Sequence, residues 1–150
     1  MDSILHAAAR KWIKEKHLRN ILKGAWTPMY DSDGNLLPRI RGRIGAVSNS
    51  MHDLEIGVDL IEMQPGTAFP LHIHDGDHVL YVESGTGAVH INGKDRQIKK
   101  GDTVFIAAEY PHGVLGPKKT AKKPLVIVAF GHPHTHVESK HRMRHPRHKH

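Results

Sequence analysis

Apolar residues recur near helical spacing along the first two dozen positions: Ile4, Leu5, Ala8, Trp12 and Ile13, then Leu18, Ile21 and Leu22. Asp2 or Ser3 can cap such a run and Gly24 can end it, so the pattern predicts one amphipathic helix over residues 1–23. One face would dock on the rest of the protein or on a second subunit; a membrane-surface helix is the rival reading of the same basic stretch. From about residue 38 the pattern changes to short strands with turn punctuation. Arg39–Ser48 and Leu54–Met63 carry Ile and Val at alternate positions, and Pro65-Gly66 marks a turn. Further strands are expected at His72–His74, Val79–Glu83, Ala88–Ile91, Arg96–Ile98, Thr103–Ile106, His112–Leu115 and Leu125–Phe130. Asn92-Gly93 is a strong hairpin signal because its turn type needs positive φ at both positions. Short strands at this spacing predict an all-β sandwich or barrel with a central cavity.

The chain has 150 residues, enough for one ordinary domain. It has no cysteine, which excludes disulfides, thiolate-bound zinc and cysteine nucleophiles, and it has fifteen histidines instead. No apolar run approaches the length of a membrane span, and the start lacks the apolar core of a signal peptide, so a cytoplasmic protein is expected. The net charge of +7 is unevenly placed: residues 1–23 and 132–150 each carry +4, and residues 24–131 carry −1. A near-neutral body argues against a nucleic-acid-binding face, which needs Lys and Arg concentrated on the folded surface. The Lys118–Lys123 stretch reads as a solvated surface loop.

The chemistry concentrates in Gly66-Thr-Ala-Phe-Pro-Leu-His72-Ile-His74-Asp-Gly-Asp-His78. His72 and His74 stand two apart on an expected strand, which puts both side chains on one face. His78 opens the next strand after the Asp75-Gly76 turn, and His112 lies downstream. Imidazoles grouped in this way suit zinc, copper, iron or nickel.

These residues resemble the cupin superfamily, small jelly-roll barrels with a metal inside. Its first motif runs Gly, five residues, His, one, His, three or four, Glu, six, Gly. Gly66, His72, His74 and Gly85 match it, with His78 standing where glutamate is usual. In the second motif Gly101 and His112 keep their spacing, while Ala107, Glu109 and Gly116 replace the usual Pro, Gly and Asn. The resemblance covers roughly residues 40–131. It implies an all-β cupin jelly-roll (double-stranded β-helix) barrel over residues 24–131, preceded by the helix of residues 1–23 and followed by a His-rich basic tail over 132–150.

The implied site is an all-histidine variant, with His72, His74, His78 and His112 holding one divalent transition metal. Fe(II) is favoured over Mn, Ni or Zn. The alternative for His78 is to hydrogen-bond a three-histidine site without ligating. Imidazole ligands cancel none of the dication's charge, which favours a small anionic or enolisable substrate bound to the metal. The expected activity is a dioxygenase. The alternatives are a lyase, isomerase or cyclase using Lewis-acid enolate stabilisation, or a non-enzymatic binder of metal or small ligand. Glu109 and Tyr81 are the candidate acid–base residues, and a homodimer is expected. The tail carries seven histidines in nineteen residues and reads as a mobile segment too polar to join a core, loosely attractive to metal.

Overall fold

The computed structural model describes residues 12–48 and 55–146. Ten strands follow in order: β1 Thr27–Tyr30, β2 Leu36–Val47, β3 Gly57–Met63, β4 Ala68–His72, β5 Asp77–Ser84, β6 Thr86–Ile91, β7 Lys94–Lys99, β8 Thr103–Ile106, β9 His112–Leu115 and β10 Leu125–His132. They form a six-stranded sheet in the order β1-β2-β3-β10-β5-β8 and a four-stranded sheet in the order β4-β9-β6-β7, with antiparallel pairing throughout. β10 lies between β3 and β5, so the last strand completes the middle of the larger sheet. This is the jelly-roll arrangement expected from the sequence.

The core fills the space between the sheets. Along β5 the burial alternates strictly: His78, Leu80 and Val82 point inward, and Asp77, Val79, Tyr81 and Glu83 point out. Leu80 and Val82 join Ile61, Met63, Val114, Leu125 and Ile127 in one apolar cluster. Burying each such aliphatic side chain is worth about 1.5–3 kcal/mol before entropy is charged against it. The β6–β7 hairpin turns at Asn92 and Gly93, both with positive φ (53° and 74°), as their dipeptide demands.

Two expectations need correction. Among the described residues only α1, Lys14–His17, is helical in the region expected to form a helix to residue 23; residues 1–11 lie outside the described part. Leu18 and Leu22 are exposed rather than docked. The missing part of the pattern is a packed face: α1 buries no residue, and a single turn has little stability without one.

The second correction concerns the tail. His132 still belongs to β10, and residues 133–146 then fold back across the molecule instead of leaving it. Val137 is 1% exposed and Met143 2%, and both join the main core cluster. Val137 sits so close over Gly42 that a Cβ there would lie 2.6 Å from its Cγ2. Arg144 forms an isolated antiparallel bridge with Ile73, its N–H donating to the Ile73 carbonyl at 2.8 Å and its carbonyl accepting from the Ile73 N–H at 2.9 Å. Composition suggested a solvated end, but two apolar anchors and one backbone pairing are enough to seat a polar segment on an existing core.

Candidate metal centre

β4 and β9 pair directly, with His72 opposite His112. The pairing shifts between Phe69 and His72, and this irregularity lets both residues face inward although an odd number of positions separates them. His74 lies just past the end of β4, and the Asp75-Gly76 turn brings in β5 with His78 near its start. The fold has little tolerance at that turn, because a Cβ on Gly76 would stand 2.2 Å from the carbonyl oxygen of Pro133.

His72, His74 and His112 are all buried, and their candidate ligand atoms lie within 4.8 Å of one another. Three backbone carbonyls set the tautomers. His72 Nδ1 donates to the Pro70 oxygen at 2.6 Å, His112 Nδ1 to the Tyr110 oxygen at 2.8 Å, and His74 Nδ1 to the Gly76 oxygen at 3.3 Å. With Nδ1 carrying the proton, each Nε2 keeps a free lone pair, the form in which imidazole ligates a metal. Desolvation by burial holds His72 at about 3, against an ordinary 6.5, with neighbouring His112 adding to the effect. Burial lowers His74, His78 and His112 in the same sense. Buried neutral imidazoles with one nitrogen oriented by a carbonyl fit a divalent transition metal.

His78 enters the same cavity, but among the described residues the ligand atoms grouped within 4.8 Å of one another are those of His72, His74 and His112 only. Its ring stacks on that of His74, with centroids 3.8 Å apart and planes inclined by 29°. The other candidates fare differently. Tyr81 is separated from His78 by three positions on β5, so the strand's alternation puts it on the outer face, 38% exposed and away from the histidines. It is corrected from the catalytic set. Glu109, at a positive φ of 60°, lies in the loop before β9, where its N–H donates to the His74 carbonyl at 2.8 Å and its exposed carboxylate accepts from Arg144 at 3.2 Å. That side chain ties the returning segment to the rim.

The sequence reading overlooked three buried groups behind the histidines. Arg142, carried by the returning segment, lines the histidine cavity and is 7% exposed. Asp59 on β3 is 2% exposed and accepts from His134 Nε2 at 2.8 Å. Burial pushes the Arg142 guanidinium below its ordinary value, while the charge of Asp59 works against that fall. One atom of each group, Arg142 Nε, Asp59 Oδ1 and His134 Nδ1, is buried without a hydrogen-bond partner. The cavity itself measures about 20 Å³, with apolar walls from Ile61, Phe69 and Val114. Two signals for this cluster were visible in the sequence: a carboxylate, Asp59, set between Val58 and Leu60 in a largely apolar strand, and Val137 and Met143 inside a tail otherwise polar.

Residues 59–131 match the Cupin domain family. The chain is 32% identical over 69 residues to an oxalate-binding protein of Thermotoga maritima, a match covering 45% of this chain and 57% of that protein. It thus spans little more than half of that relative's length. Among solved structures, the polyketide cyclase RemF from Streptomyces resistomycificus superposes with a TM-score of 0.63 at 15% identity, over 77% of this chain and 78% of the other. An RmlC-like cupin from Shewanella frigidimarina gives 0.60 at 15% identity, over 79% and 91%. At such identities the two structures speak to the fold alone. The domain match over β3 to β10, within a jelly-roll fold and with histidines in both motif positions, identifies residues 59–131 as a cupin domain.

Proposed function

We propose that this protein is a metal-dependent cupin acting on a small anionic or enolisable substrate that binds the metal directly, with dioxygenase as the leading reaction class. The observation that carries the reading is the convergence of three buried, neutral histidines with their Nδ1 atoms turned to backbone carbonyls. A divalent ion held only by imidazole supplies Lewis acidity with its full charge available to an anionic oxygen of the substrate. His72, His74 and His112 would hold the ion, Fe(II) by preference. His78 would serve as the fourth ligand or, stacked on His74, as the group that fixes its ring. Ile61, Phe69 and Val114 would keep bulk water from the reacting atoms.

The Thermotoga relative, by its description an oxalate-binding protein, supports a small carboxylate as ligand. It also favours the second reading, a cupin that binds such a ligand without turning it over. The small cavity of about 20 Å³ supports either reading over one with a bulky substrate. A homodimer and a cytoplasmic location belong to the same proposal.

The test is elemental analysis of untagged protein purified without added metal, followed by oxygen uptake with oxalate, β-diketones, hydroxyketones and phenols. Iron at one equivalent per chain with substrate-dependent oxygen uptake is expected. Zinc or nickel without uptake would remove the dioxygenase, and no bound transition metal would remove the metal-dependent reading altogether.

A further inference from the structure

The segment after β10 carries an arginine into the buried histidine cavity, where a cation is costly. Arg142 shares a cavity with the four histidines, two residues before Arg144 bridges to Ile73. A buried guanidinium is stable only when its donors and its charge are met. Asp59 meets part of the charge, yet Arg142 Nε has no partner, and one Asp59 oxygen is committed to His134. The incomplete pairing leaves a forked donor beside the proposed metal position.

We infer that Arg142 is the second anchor of an anion site, holding one carboxylate of a small dicarboxylate whose other oxygens reach the metal. The inference rests on the proposed metal-dependent reading and names its substrate class. Charge points to a dianion: with the imidazoles neutral, Arg142 and Asp59 offset each other, so a divalent ion leaves the cavity in need of two negative charges. Guanidinium geometry favours carboxylate, which it can grip with two parallel hydrogen bonds. Size favours the shortest members of the class, because about 20 Å³ takes a metal ion or a water and little else until the flexible arginine yields space. The segment that supplies Arg142 is held at the rim by Arg144, which pairs with Asp75 and Glu109 on the two loops flanking the histidines. These pairs are exposed and hence weak, whereas Met143 beside the arginine is anchored in the core, so it is the guanidinium side chain and not its segment that would shift to admit the anion.

The experiment compares wild-type protein with Arg142→Met and Arg142→Lys, each loaded with Mn²⁺ or Ni²⁺. Bound metal is measured by elemental analysis and oxalate, malonate and neutral oxamide binding by calorimetry. Arg142→Met should keep its metal but bind oxalate about 10- to 100-fold more weakly, the loss expected for one charge-assisted contact. Arg142→Lys should recover part of the affinity, and oxamide binding should be the same in all three. Equal oxalate affinity in metal-loaded wild type and Arg142→Met would overturn the role of Arg142 and leave the metal reading standing; a wild type that takes up no metal would overturn the metal reading first. Wild-type protein gives a readout independent of any variant's folding. Oxalate should slow tryptic cleavage after Arg142 in the metal-loaded form, and an unchanged cleavage rate there would also overturn the proposal.

Discussion

Met143→Ala tests whether the His-rich segment is part of the folded core. Met143 is 2% exposed and belongs to the central apolar cluster, yet it lies in a stretch whose composition predicts solvation. Truncating a buried methionine to alanine costs about 2–5 kcal/mol, through lost transfer energy and the cavity left behind. In a domain of this size each kcal/mol shifts the melting temperature by about 2–4 °C, so a global loss would lower Tm by roughly 5–15 °C. Lost docking energy could also show as local opening of the segment and not as global unfolding. Both cases are covered by measuring the thermal transition and, in parallel, limited trypsinolysis at Lys140, Arg142 and Arg144. The variant should either melt earlier or be cleaved at these sites at least tenfold faster, since about 1.4 kcal/mol of lost docking energy multiplies the open population by ten. Met143→Leu, which conserves most of the volume, should behave nearly as wild type, at a cost under about 1.5 kcal/mol. If Met143→Ala changes neither the transition nor the cleavage rate, residues 133–146 are not seated on the core and the cavity's arginine loses its support.

Four further outcomes are expected. His112→Ala should abolish stoichiometric metal binding, whereas His78→Ala should retain it with affinity reduced about 10- to 100-fold, as for a residue that orients a ligand; equal losses in a metal titration would make His78 a ligand itself. Gly76→Ala should destabilise the protein by about 1–3 kcal/mol in urea and weaken metal binding, because its Cβ would collide with the Pro133 carbonyl and move the carbonyl that orients His74; unchanged values of both would refute that coupling. Metal-free protein should lose stability as pH falls below 6.5: His72 is held at about 3 when folded, so below 6.5 the unfolded chain binds more protons. Stability from this source is complete above about pH 6.5 and drains toward pH 3, with about 2–3 kcal/mol gone by pH 4.5 from His72 alone; a flat urea midpoint between pH 7.5 and 4.5 in chelator would contradict it. Tyr81→Phe should leave ligand binding and turnover unchanged, since the hydroxyl stands on the outer face, and a large loss in either would return it to the site.

Much of the barrel was legible because strand formation here follows local rules. Alternating burial along β5, the positive-φ pair Asn92-Gly93 and the apolar run of β10 each express a period or a turn preference that neighbouring residues carry by themselves. The histidines were legible for the same reason: their spacing around one turn and one strand pair is short-range, and His72, His74 and His112 do converge. β1 was missed because Thr27–Tyr30 is four residues long and includes a proline, so it pairs only by virtue of β2 beside it.

What tertiary structure alone decided is everything that depends on distant partners. The helical period of the first segment carried no information about what it would dock against, and α1 buries nothing. Asp59 stands far along the chain from His134 and Arg142, and no local pattern joins a carboxylate on β3 to an arginine beyond β10. The sequence by itself determined the kind of site, imidazoles in a β-barrel, because ligand type and short spacing are written residue by residue. The fold determined that a basic segment returns to close that site with a guanidinium, because a buried charge is placed only by the packing of the whole chain around it.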